Sequence, residues 1–108
     1  MKKLSFSALE TSAIIGALHL VPWLDFSTSD IQLAVNTMLA ESAMEKLSDG
    51  RAVFSPDEVR VMFSAVQAAH FILTGKLSLD DPELRSKISP HFFVYGSLLN
   101  RKDFQPQL

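Results

Sequence analysis

Between Ala8 and Val21 the chain is apolar on almost every side of a helix. At about 100° per residue, Leu9, Ala13, Ala17 and Leu20 share one face. Ile14, Leu18 and Val21 fall on adjoining and opposite faces, and Ile15 on yet another. Past the first turn, Thr11, Ser12 and His19 are the polar residues. A helix of this kind is normally buried on several sides. The chain has 108 residues, one domain's length. Such a domain hides roughly 65% of the surface its unfolded chain exposes. Few neighbours are at hand to surround the rod: either it is central to the bundle, or a second chain covers part of it, and the second is the expectation.

The remaining punctuation is helical throughout. Ser7-Ala8-Leu9-Glu10 is a capping box, with a hydroxyl for an early backbone N–H and a carboxylate reaching back. Pro22 lacks an N–H and restrains its predecessor, so the first helix stops there. Residues 22–29 read as a loop carrying Trp23, Leu24 and Phe26. A second helix runs to Ser48 and closes at Asp49-Gly50, where glycine supplies the left-handed turn. Ser55-Pro56-Asp57-Glu58 opens a third, with a cap, a proline at the first helical position and a second capping box. The pattern of cap then proline returns at Asp81-Pro82 and Ser89-Pro90. The tail 103–108 contains Pro106 and is expected to fray. Residues 76–80 and 51–54 alternate too briefly to build a sheet, and at most pair as a minor ribbon. The fold predicted is all-α: a single domain, 1–108, forming a compact bundle of four principal helices. They span about 8–21, 30–48, 56–74 and 82–101, the last split near Ser89-Pro90.

Helix faces turn this into packing expectations. The third helix carries Val59, Met62, Val66, Ala69 and Leu73 at the alternating three-four spacing of a bundle seam. Arg60, Ser64, Gln67 and Thr74 form its wet stripe, with Phe71 beside it. The second helix has two apolar faces: Ile31, Val35, Met38 and Leu39 in its first half, and Leu33, Ala40, Ala43, Met44 and Leu47 on another. Two such faces imply two packing partners, in one chain or in two. Phe93 points away from Tyr95 on the last helix. The residues expected at an interface are Ile14, Ile15, Leu18, Val21, Trp23, Phe71 and Phe93.

Catalytic and metal chemistry finds little support. No cysteine is present, which removes disulfides, thiolate metal sites and cysteine nucleophiles. His19, His70 and His91 lack a second ligand at helical spacing. A calcium loop starting at Asp25 fails, because Asp30 and Asn36 occupy the positions that need glycine and glutamate. Asp57, Glu58, Asp80, Asp81 and Glu83 sit at helix beginnings, where the macrodipole favours them. Glu41 and Glu45 lie four apart, but the matching histidines of a di-iron bundle are missing. No phosphate-binding glycine loop occurs. No cofactor is expected.

A formal charge of −2 argues against a nucleic-acid or anionic-lipid partner. Arg85, Lys87, Arg101 and Lys102 form at best a weak basic patch. Glu10 and His19 interrupt the one stretch resembling a signal peptide or membrane span, and no small-x-small cleavage site follows Leu24. The expectation is a cytoplasmic, non-enzymatic interaction or regulatory module acting as a homodimer. The alternative is a helical binder of a small apolar ligand, suited by eight Phe and four Met. An enzyme with a site assembled from distant residues ranks last.

Overall fold

The computed structural model describes residues 1–24 and 29–106. Asp25, Phe26, Ser27 and Thr28 of the loop, and the last two residues of the tail, lie outside the described residues. The elements in chain order are β1 (Lys2–Lys3), α1 (Ala8–Leu18), α2 (Asp30–Ser48), β2 (Val53–Phe54), α3 (Pro56–Leu73), α4 (Pro82–Ile88) and α5 (Phe92–Leu99). Short 3-10 turns occupy Val21–Trp23, Ser89–His91 and Lys102–Phe104. The chain is a mostly helical bundle, and the last helix splits at Ser89-Pro90.

The caps form as the sequence requires. Ser7 Oγ accepts from the Glu10 N–H at 3.1 Å, and Glu10 Oε1 accepts from the Ser7 N–H at 2.9 Å. Ser55 and Glu58 repeat the arrangement. Asp81 Oδ1 accepts from the N–H groups of Glu83 and Leu84. Gly50 and Gly75 adopt positive φ, 74° and 80°, past the ends of α2 and α3. α1 ends at Leu18, earlier than Val21. The chain tightens there: the Leu20 N–H donates to Ala17 O and the Trp23 N–H to Leu20 O, both three residues back. This is how a helix end satisfies itself ahead of a proline.

α1 packs against α2, α3, α4 and α5, while α3 packs against α1, α2 and α5. These two helices are the centre. Most of the apolar surface expected to need another chain is covered within this one: Ala13, Ile14, Ala17, Leu18, Leu20 and Val21 are fully buried, while Ile15 is half-buried and Leu9, in the first turn of α1, stays 69% exposed. Close approach of backbones makes this possible. A Cβ at Gly16 would lie 2.4 Å from the Lys87 carbonyl oxygen and 3.5 Å from Tyr95 Oη. The bare glycine lets the end of α4 lie directly on α1. Tyr95, itself buried, donates its hydroxyl to Ala13 O at 2.8 Å. Burial holds that phenol well above its ordinary pKa.

Two further expectations change. Residues 51–54 do contribute to a ribbon, but with the N-terminus rather than with 76–80. Lys2 pairs with Phe54 and Lys3 with Val53, antiparallel. This register buries Leu4 and Phe54 together, which the exposed 76–78 segment does not offer. The tail does not fray at Asp103. Phe104 is fully buried, edge-on to Phe6 at 5.6 Å and tilted against Phe63 at 5.8 Å. Arg101 locks it in place, bonding Glu10 Oε2, Ser5 O and both Asp103 oxygens while its guanidinium covers the Phe6 ring. Arg101 also holds the Asp103 carboxyl below its usual range. It is therefore not available to a basic patch.

The Gly16 contact predicts a sharp contrast between two glycines. Gly16→Ala drives a methyl into a backbone carbonyl, so the helices must part, at a cost of about 1–3 kcal/mol. Gly96→Ala meets only His70 Cε1 at 3.9 Å and gains helix propensity of up to ~1 kcal/mol. Urea denaturation of both variants checks this, with the first midpoint falling and the second unchanged or higher.

Candidate functional site

α2 is oriented by polar contacts on its inner side. Asn36, Ala40, Ala43 and Leu47 are its buried residues, at the spacing of a single helical seam. Asn36 Oδ1 accepts from Gln32 Nε2 at 3.0 Å and from Arg60 Nη2 of α3 at 3.4 Å. Farther along, the buried Glu58 carboxylate of α3 receives the Lys46 ammonium and the Ser42 hydroxyl, both at 2.7 Å. It also caps its own helix through the Ser55 N–H at 2.7 Å. Burial alone pushes the Glu58 carboxyl up. The Lys46, Ser55 and Ser42 donors together outweigh it, and the group settles below the ordinary range.

This anchoring turns the first half of α2 inside out. Asn36 is 3% exposed, while Ile31 is 79% exposed, Met38 69% and Val35 42%. The three apolar residues stand at i, i+4 and i+7 and make one ridge, roughly opposite the buried seam. The Val21–Trp23 turn packs against α2, and Trp23 is 67% exposed. Single exposed apolar residues are ordinary, but an aligned ridge marks a surface suited to contact.

The expected interface residues separate accordingly. Ile14, Leu18 and Val21 are buried in their own chain, so they have no surface to offer a partner. Their corrected role is core, because α4 and α5 close over α1. Ile15 and Phe71 are half-buried, and the Lys76 ammonium sits 5.7 Å above the Phe71 ring. Trp23 and Phe93 are exposed, Phe93 at 87%. Phe93 lies edge-on to Phe92, which stacks on His70. The ridge residues Ile31, Val35 and Met38 were legible as a face but not as the outward one. The missing signal is Glu58: read as a helix cap only, it also draws Ser42 and Lys46 inward and fixes the rotation of α2.

The histidines are separately placed. His19 Nδ1 bonds Ile15 O at 2.8 Å, His70 stacks on Phe92, and His91 lies edge-on to Tyr95. Among the described residues no group of three or more metal-ligating side chains gathers. Two surface depressions measure about 190 and 170 Å³, one lined by Met1, Lys2, Pro56, Val59 and Gln105, the other around Leu4, Phe6 and Leu47. Both fall short of the roughly 300 Å³ typical of a small-molecule pocket. No helix among the described residues is long and apolar enough to cross a membrane. No protein-family model, curated protein or solved structure matches the chain. Function must therefore be argued from the surface itself.

The Glu58 cluster makes acid stability a test of how α2 is held. A carboxyl with a lowered folded-state pKa stabilises above its unfolded value, about 4.3 for glutamate, and loses that contribution as pH falls through the lower folded value. Glu58→Gln is expected to cost about 1–3 kcal/mol at neutral pH. The gap from wild type should close on acidification below pH ~4.3, as measured by urea denaturation at several pH values.

Proposed function

We propose that this chain is a non-enzymatic helical protein–protein interaction module, and that its docking face is the outer ridge of α2. One observation carries the reading: α2 buries Asn36 and exposes Ile31, Val35 and Met38. A helix packed only for its own fold would present these residues the other way round. The inversion is held in place by Glu58, Lys46, Ser42 and Arg60, so the ridge is presented on a fixed element. A rigid, preorganised surface limits the entropy lost on docking.

Self-association, which the sequence suggested through the first helix, loses that surface. A second copy would have to meet α2 instead. The apolar-ligand alternative is weakened by the small volumes of the two depressions.

Site-specific photo-crosslinking in the native cells tests the reading. A photoreactive amino acid in place of Met38 should yield discrete protein adducts. The same residue in place of Ser97, exposed on α5, should not. Absence of adducts at position 38, or identical adducts at both positions, would overturn the proposal.

A further inference from the structure

We infer that the body seated on α2 is a basic amphipathic helix belonging to another protein; this rests on the docking-face reading above. The apolar ridge has a charged border. Asp30, Glu41 and Glu45 are exposed, and helical geometry sets all three along one side of the ridge formed by Ile31, Val35 and Met38. Asp30 lies in the first turn, where the macrodipole accounts for it. Glu41 and Glu45 have no such explanation. They stand four apart, a spacing at which like charges repel, and Glu45 lies in the last turn, where the dipole disfavours acids. Among the described residues no ion pair or hydrogen bond engages either side chain. Lys46, the sole cation of α2, is committed to Glu58.

The surface thus combines apolar anchors at i, i+4 and i+7 with two carboxylates, Glu41 and Glu45, that have no counter-charge among the described residues. A helical ligand laid along the ridge meets it with anchors of the same spacing. Lysines or arginines on one flank of that ligand would neutralise Glu41 and Glu45 and set its direction. A second copy fits less well. Symmetric α2–α2 contact brings no free cation to either glutamate, and antiparallel pairing puts both acid rows on the same edge. An anionic membrane would be repelled by the same row.

Two synthetic helical peptides test the inference. Both carry leucines at i, i+3, i+4 and i+7; one has lysines along a flank, the other glutamates. Binding is read by calorimetry and by the emission of Trp23, the one tryptophan in the chain. The lysine peptide should bind, with the glutamate twin about tenfold weaker or worse. Glu41→Gln with Glu45→Gln should weaken the lysine peptide by about threefold per charge and flatten its salt dependence. Ile31→Ser with Met38→Ser, at exposed positions and with an unchanged melting midpoint, should abolish binding. Equal binding of both peptides, or indifference to the glutamine substitutions, would overturn the inference. So would binding of the protein to vesicles containing phosphatidylserine. If neither peptide binds and the protein sediments as a dimer dissolved by Ile31→Ser, the partner is a second copy; the inference fails and the docking face stands. If neither binds, the protein is monomeric and position 38 gives no adducts, both fail together.

Discussion

The absence of a side chain at Gly16 is the contact on which the bundle depends. It lets the Lys87 carbonyl of α4 approach α1 to a distance no Cβ would permit. The Tyr95 hydroxyl, 82 residues along from its acceptor, closes the same region from α5 by bonding Ala13 O. With backbones this close, two short helices do the work of longer ones. Most of the apolar rod, Ala13 to Val21, is covered by α2, α3, α4 and α5 of its own chain, with Leu9 left exposed in its first turn. Native interiors tolerate little empty space, so the stripe of small residues Ala13, Gly16 and Ala17 sets how near the neighbours come.

A second closure works at the opposite ends of the sequence. Phe6 meets Phe54 and Phe104 edge to face while Phe63 tilts against Phe104, and Arg101 ties the segment before α1 to the turn after α5. Terminal segments are commonly the loose parts of a small domain. Here Leu4 and Phe104 are drawn into the core, and an aligned share of the exposed apolar surface lies on the helix whose rotation is set by polar contacts. The outer ridge of α2 is an apolar face left open, three residues aligned at i, i+4 and i+7, where Leu9 and Phe93 stand exposed on other helices. Fold and proposed function meet in Glu58: the carboxylate that caps α3 also holds α2 with its asparagine inward and its isoleucine, valine and methionine outward.

The parts of this molecule written locally were legible in the sequence. Ser7/Glu10, Ser55/Glu58 and Asp81-Pro82 each announce a helix start through neighbours three residues apart or fewer, and each helix forms there. The seam of α3 reads correctly because one face is far more apolar than the rest. The enclosure of α1 was not legible. Side-chain periodicity reports which way a residue points, whereas enclosure depended on how near two backbones approach, and a lone glycine within a helix carries no sign of that. Phe104 was misjudged for a related reason: its partner Phe6 lies at the other end of the chain, and a proline nearby suggested a loose end. In α2 both faces are apolar, so pattern alone left its rotation undetermined. The tie-breaker, Glu58 reaching Ser42 and Lys46, is a contact between helices.

The central claim is that one chain buries the body of α1, from Ala13 on, and leaves the ridge of α2 open. Methyl NMR on a dilute sample with a soluble gadolinium chelate tests this most directly. The account predicts that the methyl signals of Ile14, Leu18 and Val21 keep their linewidths while those of Ile31, Val35 and Met38 broaden strongly. Broadening of Ile14 and Leu18 to the same degree as Ile31, or protection of Ile31 and Met38 in the isolated monomer, would contradict it.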